Sequence, residues 1–163
     1  MPVAKPCYYV GVIGSSLCND LQARLAYETG SLIAKAGWVL VNGGMGGVML
    51  ESSRGAQEAG GIVIGILPGL ERREGNPYLS YAIPTGLGHL RNALVVSACD
   101  ALIAIGGSYG TLSEISFAHL RGIPVVGLFT LKMVERDGLE LYKKTACTPQ
   151  EAVQAVREIL AAR

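Results

Sequence analysis

The chain has 163 residues, of which 50% are hydrophobic and 17% are charged, and its formal net charge is +1 at pH 7. This length fits one domain, expected over residues 1–163, and is sufficient to bury a substantial core. The near-zero net charge provides no electrostatic basis for binding nucleic acid or an acidic membrane surface, so neither is expected as a partner.

Apolar runs typical of buried strands alternate with helical patterns along the whole chain. The strands are predicted over residues 8–14, 38–42, 62–67, 79–83, 101–105 and 124–129. The helices are predicted to run from Asn19 to Gly37, from the glycines at 43–47 to Ala59, from Arg91 to Ala98, from the glycines at 106–110 to Gly122, and from Thr148 to Ala161. Residues 68–78 read as a polar loop, and residues 130–147 as a loop with a last edge strand.

Two of the predicted helices have well-defined start signals. Asn19 is followed three residues later by Gln22, which is the pattern of a capping box. Thr148 precedes Pro149 and Glu151, so the last helix has a cap, a proline in its first turn and an acidic residue near its positive end. In the first helix, the face expected to be buried carries Leu21, Leu25, Leu32 and Ile33.

Continuous apolar strands alternating with helices predict an α/β fold, a three-layer Rossmann-like parallel sheet with helices on both faces. In such a sheet the strand-to-helix loops share one edge, where ligands bind. Three loops rich in glycine or serine fall at this edge. We predict that they bind phosphate through Gly14, Ser15, Ser16, Gly43, Gly44, Gly46, Gly47, Gly107, Ser108, Tyr109, Gly110 and Thr111.

The physical basis of this prediction is the unpaired backbone N–H groups at a helix N-terminus, which carry partial positive charge. Glycine lets a phosphate approach that backbone without a side chain in between. Neither GGMGGVM nor GGSYGT is a Walker loop or a GxGxxG fingerprint, so the loops alone do not name the ligand.

Two ionisable residues near these loops each allow two interpretations. Glu114 either closes a capping box with Thr111, which its spacing favours, or directs a carboxylate into the ligand cleft. Arg91 is either a solvated surface charge or a guanidinium that binds a phosphate or carboxylate. His89 and His119 are too far apart for a metal pair, and each is expected to be structural.

The remaining composition signals exclude other classes of protein. The four cysteines are widely spaced and form no CxxC pair, which argues against a zinc ribbon or a disulfide scaffold, so no metal site is expected. Residues 1–14 lack the apolar run of a signal peptide, and no segment approaches the roughly 18 apolar residues of a membrane helix. We therefore expect no membrane partner and a cytoplasmic location.

Three segments resemble the LOG-type superfamily, whose members often carry an older label as lysine decarboxylases, and most closely its short branch of molybdenum-cofactor carrier proteins. The segments are VNGGMGGVMLESSRGAQEAGGIVIGILPG (41–69), GNPYLSYAIPTGLGHLRN (75–92) and IAIGGSYGTLSEISFA (103–118). The resemblance implies a Rossmann-like fold. LOG enzymes cleave the N-glycosidic bond of cytokinin nucleoside monophosphates, and their PGGxGTxxE motif corresponds to residues 106–114.

Under this resemblance, the catalytic residues of a hydrolase would be Arg91 and Glu114. Four positions depart from the LOG pattern. Gly106 replaces a proline and Ser108 replaces a glycine. Asn92 stands where a lysine usually follows the arginine, and Ser113 stands where a second glutamate often precedes the motif glutamate. Between Asn42 and Gly127 the sequence has no lysine that could hold pyridoxal phosphate, which argues against decarboxylation.

Two functions therefore follow from the resemblance. The first is a carrier-like protein that binds the molybdenum cofactor or a nucleotide through its phosphate without chemistry. The alternative is a phosphoribohydrolase that acts on a nucleoside monophosphate and releases the free base. Relatives associate through helices beside the cleft, so a homodimer or homotetramer is expected.

Overall fold

The computed structural model describes residues 7–132 and 140–163. The strands are β1 (Tyr9–Gly14), β2 (Val39–Asn42), β3 (Val63–Leu67), β4 (Tyr81–Pro84), β5 (Ala101–Gly106), β6 (Val125–Thr130) and β7 (Lys144–Ala146). The helices are α1 (Asp20–Lys35), α2 (Val48–Glu58), α3 (Asn92–Ser97), α4 (Tyr109–Arg121) and α5 (Pro149–Ala161), with short 3-10 turns at Arg72–Glu74 and Gly88–Arg91.

The strands form one sheet in the order β4-β3-β2-β1-β5-β6-β7, and all neighbouring pairs are parallel. One core cluster joins the sheet to α1, α2 and α5, and a second joins the opposite face to α3 and α4. Both faces of the central strands are therefore covered, which explains why β1, β2 and β5 read as continuous apolar runs. The predicted three-layer α/β fold is confirmed.

The predicted helix starts agree with the structure. The Asn19 side chain accepts a hydrogen bond from the backbone amide of Gln22 at 2.9 Å. The Gln22 side chain accepts one from the backbone amide of Asn19 at 3.2 Å. Thr148 Oγ1 accepts from the Glu151 amide at 3.1 Å. The edge strand expected within residues 130–147 is β7, while residues 133–139 of that range lie outside the described residues.

The predicted buried face of α1 is wrong at one position. Leu25 and Ile33 are buried in the core, but Leu21 is 43% exposed. The helix contacts both α2 and α5, so its buried stripe is set by those neighbours and includes Ala26, Thr29 and Gly30. The first turn projects beyond these partners, and an apolar residue there gains little burial.

The order of the strands creates a switch point between β1 and β5. These strands are neighbours, but the chain leaves β1 into α1 on one face and leaves β5 into α4 on the other. The two loops therefore diverge at the carboxyl ends of adjacent strands and leave a crevice between them. This crevice is where a ligand is expected in a sheet of this kind. Within residues 7–132 and 140–163, none of the helices is long and apolar enough to cross a bilayer.

Helices α1 and α2 pack unusually closely because each contributes a glycine to the contact. A Cβ atom at Gly30 would lie 2.0 Å from the Ser52 carbonyl oxygen, and one at Gly55 would lie 1.9 Å from the Tyr27 carbonyl oxygen. Above this contact, the Arg54 guanidinium lies 4.8 Å from the centre of the Tyr27 ring. The close approach fixes α2, and α2 begins at one of the glycine-rich loops.

We expect Gly55→Ala to lower the free energy of unfolding by about 1–3 kcal/mol, because the added methyl group forces α1 and α2 apart. Helix propensity alone predicts an increase in the free energy of unfolding, because it favours alanine over glycine by about 1 kcal/mol. Urea denaturation measures the difference. Gly110→Ala is the matched control, since the nearest atom to its added Cβ lies 3.7 Å away. A Gly55→Ala protein as stable as this control would contradict the prediction.

Candidate functional site

A cavity of about 330 Å³ lies at the switch point. The loops after β1, β2 and β5 contribute to its walls, together with the 3-10 turn Gly88–Arg91. It is lined by Gly14, Ser15, Ser16, Met45, Met49, Pro68, Gly88, His89, Arg91, Asn92, Ser108, Gly110, Thr111 and Glu114. The glycine-rich segments expected to share one edge of the sheet therefore meet, and between them they surround a single space.

Arg91 is the most unusual residue of this cavity, because it is a cation that is only 7% exposed. Its Nη2 donates to the Gly43 carbonyl oxygen at 3.3 Å, and its Nη1 donates to the Asn92 Oδ1. Its Nε is buried and has no hydrogen-bond partner among the described residues. Burial lowers the pKa of this guanidinium, and Glu114 opposes that shift. The interpretation of Arg91 as a solvated surface charge is excluded.

The position of Arg91 explains one of the glycines. A Cβ atom at Gly43 would lie 2.5 Å from Arg91 Nη2 and 2.7 Å from Met49 Sδ. A larger residue at position 43 would force the guanidinium or the Met49 side chain to shift. Gly43 therefore provides space for an arginine.

The rest of the 43–47 loop is held by two buried or half-buried asparagines. Asn42 Oδ1 accepts from the Gly44 amide at 2.8 Å, and its Nδ2 donates to the Met49 carbonyl oxygen at 3.0 Å. The backbone amide of Asn76 donates to the Gly44 carbonyl oxygen at 2.8 Å. The backbone of Gly44 is thus occupied within the protein. The loop brings Met45 and the first turn of α2 to the cavity.

The N-terminus of α4 presents free backbone groups beside Arg91. The chain enters the helix through Gly106 and Gly107, whose φ angles of 58° and 136° suit glycine. Among residues 7–132 and 140–163, no hydrogen-bond acceptor is found for the amides of Tyr109 and Gly110, the first two of the helix. This end of α4 therefore keeps its capacity to bind an anion.

The predicted capping box between Thr111 and Glu114 is wrong. The helix begins at Tyr109, and its cap is Ser108, whose amide donates to Thr111 Oγ1 at 3.3 Å. The two glycines before Ser108 allow the chain to turn three residues earlier than the spacing suggested. Glu114 is consequently in the second turn, where it lines the cavity and is only 6% exposed.

Burial raises the pKa of Glu114 to about 8, although the positive charge of Arg91 acts in the opposite direction. The three ion pairs shorter than 4.0 Å among the described residues do not include Arg91 with Glu114. The two groups face one cavity without neutralising each other directly. Burial therefore favours the protonated form of the carboxyl.

The structure places the predicted ligand-binding residues in two groups. Those that line the cavity are Gly14, Ser15, Ser16, Arg91, Ser108, Gly110, Thr111 and Glu114. Those that lie behind or beside it are Gly43, Gly44, Gly46, Gly47, Gly107 and Tyr109. Tyr109 is the first residue of α4 and is 92% exposed, so its backbone is the part available to a ligand at this helix end.

Sequence reasoning missed several residues of the cavity, namely Met45, Met49, Pro68, Gly88, His89 and Asn92. His89, expected to be structural, is an exposed residue at the cavity. The sequence indicated the place of His89 only through its position two residues before Arg91. For the methionines the sequence contained no such indication, because an apolar residue next to a glycine-rich loop is equally consistent with the core.

Comparison with known proteins identifies the family. Residues 7–157 match the model of the SLOG cluster4 family. The chain belongs to this family. An uncharacterized protein of Archaeoglobus fulgidus is 43% identical over 144 residues, covering 88% of this chain and 91% of that protein. A rice protein described as a probable cytokinin riboside 5′-monophosphate phosphoribohydrolase is 36% identical over 103 residues, 59% of this chain and 42% of the rice protein.

Among solved structures, the SLOG cluster4 chain is similar to proteins that bind the molybdenum cofactor. The molybdenum cofactor binding protein of Rippkaea orientalis has a TM-score of 0.88 and 32% identity, covering 96% of this chain and 99% of that one. The Moco carrier protein of Chlamydomonas reinhardtii has a TM-score of 0.87 and 34% identity, covering 97% and 100%. The resemblance to the LOG and molybdenum-cofactor carrier superfamily is confirmed.

We expect Glu114→Gln to stabilise the protein at pH 8.5 by about 1–3 kcal/mol and to have a smaller effect at pH 5.5. Between the ordinary carboxyl pKa of 4.5 and the folded-state pKa of about 8, the folded protein holds a proton that the unfolded chain releases. The free energy of unfolding therefore falls as the pH rises through this window. Glutamine does not titrate and removes the fall.

Urea denaturation at the two pH values measures this difference. Glu28→Gln is the control, because it removes the same formal charge from an exposed position of α1. If Glu114→Gln changed stability equally at both pH values, the raised pKa assigned to this carboxyl would be incorrect.

Proposed function

We propose that this SLOG cluster4 protein is a cytoplasmic binding or carrier protein that holds the molybdenum cofactor by its phosphate. The observation that supports this most is the buried Arg91 guanidinium. Among residues 7–132 and 140–163, its hydrogen-bond acceptors are two neutral oxygens, from Gly43 and Asn92, and its Nε has no partner. A buried cation without a counter-ion is costly, and an anionic ligand supplies the missing charge.

The groups around Arg91 suit a phosphate in particular. The amides of Tyr109 and Gly110 lie at the positive end of α4, where anions bind favourably. Ser15 and Ser16, whose hydroxyl groups can donate to an anion, also line the cavity. A phosphate has oxygens enough to accept from a guanidinium, backbone amides and hydroxyls at the same time.

The remaining walls suit a planar ring attached to that phosphate. Met45, Met49 and Pro68 form an apolar surface in the same cavity. Thioether sulfurs make favourable contacts with aromatic rings, and methionine adapts its shape to them. The volume of about 330 Å³ lies within the range of small-ligand pockets, roughly 300–1,000 Å³. A pterin bearing a phosphate combines both parts, as does a nucleoside monophosphate.

The similar structures support the first of these ligands. They are described as molybdenum cofactor binding and carrier proteins, and the similarity extends over nearly their whole length. The rice relative supports the alternative, a hydrolase for nucleoside monophosphates, over less than half of its own length. That alternative also draws on Arg91 and Glu114 lining one cavity.

The raised pKa of Glu114 does not suit the roles of base or charge stabiliser in hydrolysis. A base that activates water, or a carboxylate that stabilises a cationic ribosyl centre, must be ionised. Burial raises the pKa of this carboxyl to about 8 and so disfavours the ionised form. The lysine that follows the arginine in LOG enzymes is Asn92 here, so a second cation at that position is absent.

We expect the protein, produced in cells that make the molybdenum cofactor, to copurify with molybdenum and a pterin. Arg91→Met should reduce this load at least tenfold, the order expected when a charge-assisted hydrogen bond is lost. Elemental analysis of molybdenum and fluorescence of the oxidised pterin measure the load. Arg121→Met is the matched control, since Arg121 is exposed on α4.

The same preparations separate the two functions. Incubated with AMP, they should release no adenine above the level of a Glu114→Ala variant. Release of adenine that depends on Glu114 would establish the hydrolase instead. An equal molybdenum load in Arg91→Met and wild type would argue against Arg91 as the phosphate ligand.

We further propose that two or more copies associate through an uncharged apolar surface beside the cavity. Tyr81 and Ile83 on the edge strand β4 are 62% and 48% exposed. They are in register with Ile64 and Ile66, so they lie on the α3 side of the sheet. Leu87, Leu90 and Leu94 continue the exposed surface. Within residues 75–99, the buried Arg91 is the one residue with a formal charge.

A cluster of exposed apolar side chains without formal charge is typical of a contact between proteins, and a two-fold axis would match it to itself. We expect the wild-type mass from light scattering to be twice or four times 17.1 kDa. Leu90→Glu should reduce it to the monomer value, because it buries a charge at the contact. Leu120→Glu, at an exposed leucine of α4, is the control. A monomeric wild type would contradict the proposal.

A further inference from the structure

Asn92 makes more hydrogen bonds at the cavity than its position in the sequence suggests. It is the first residue of α3 and is only 3% exposed. Its Nδ2 donates to Ser113 Oγ at 3.0 Å and to the Gly110 carbonyl oxygen at 3.4 Å. Its Oδ1 accepts from Arg91 Nη1. One side chain thus connects the guanidinium to the first turns of α4.

The chemistry of these partners determines which way the carboxamide faces. The Gly110 carbonyl oxygen can only accept, and it already accepts from Ser113 Oγ at 2.7 Å. The NH₂ group of Asn92 must therefore point toward α4, and its oxygen must point toward Arg91. The orientation is a consequence of the α4 backbone.

The guanidinium is consequently held from two sides by neutral oxygens. Asn92 Oδ1 binds Nη1, and the Gly43 carbonyl oxygen binds Nη2. A guanidinium is planar, so two contacts at its two Nη atoms define its plane. Neither contact cancels its charge. An aspartate in the place of Asn92 would make a similar contact but would form a buried ion pair and neutralise the cation.

We propose that Asn92 is a positioning residue for phosphate binding. It aims Arg91 at the anion beside the N-terminus of α4 while leaving the positive charge available for the ligand. This inference rests on the proposed function, since it assumes that Arg91 binds the phosphate. The ligand class is a phosphate monoester, and the contribution of Asn92 passes through Arg91.

A double-mutant cycle tests this dependence with inorganic phosphate and AMP as probes, measured by calorimetric titration of the full chain. Asn92→Ala should weaken binding about tenfold in the wild-type background. In the Arg91→Met background, the same change should alter affinity less than about twofold, because there is no guanidinium left to position. A merely structural role would give the same loss in both backgrounds, and this result would overturn the proposal.

Ser113→Ala is the milder second variant, used if Asn92→Ala does not unfold cooperatively. It removes one partner of the carboxamide and keeps Asn92 itself. We expect a loss of about twofold to fivefold in wild type and none in Arg91→Met. An equal loss in both backgrounds would again overturn the inference. If the wild type binds neither probe, the proposed function fails first, and that outcome is distinct from a wild type that binds while the cycle shows no coupling.

Discussion

The site of this protein depends on one constraint, which is that a cationic side chain is buried without an anionic partner in the part of the chain that the structure describes. Arg91 is nearly inaccessible to solvent, yet the oxygens that hold it are a backbone carbonyl and a carboxamide. Such an arrangement is unfavourable for the unliganded chain and favourable once an anion enters. The glycine at position 43, the asparagine at position 92 and the free end of α4 are explained by this requirement.

The fold creates the place where this constraint can be met. Adjacent strands β1 and β5 send their chains to opposite faces, so the sheet opens at their carboxyl ends. The first turn of the helix that follows β5 lines this opening, and the turn before α3 brings Arg91 to the same cavity from β4. Residues far apart in the chain therefore line one cavity.

The same cavity contains a carboxyl whose protonation changes its character. Glu114 lines the same cavity as Arg91, and burial raises the pKa of its carboxyl to about 8. An ionised carboxylate at this point would compete with an anion for the guanidinium, whereas a neutral acid does not. Burial therefore suits the carboxyl to an anion-binding site, while a general base requires the ionised form. This is one physical argument for the proposed carrier function over the alternative hydrolase.

The sequence by itself determined the α/β class, the strand-to-helix alternation, the caps at Asn19 and Thr148, and the loops that meet at one sheet edge. These features follow from local periodicity and from the general geometry of parallel sheets. Only the tertiary structure decided that Arg91 is buried, that α4 begins at Tyr109, and that Asn42 and Asn76 occupy the Gly44 backbone. It also decided that Met45 and Met49 face the cavity. The burial of Arg91 and the contact of Asn76 with Gly44 join residues more than 30 positions apart, and local spacing carries no record of such contacts. The start of α4 and the Asn42–Gly44 bond are local, but loop spacing allowed more than one cap and more than one turn.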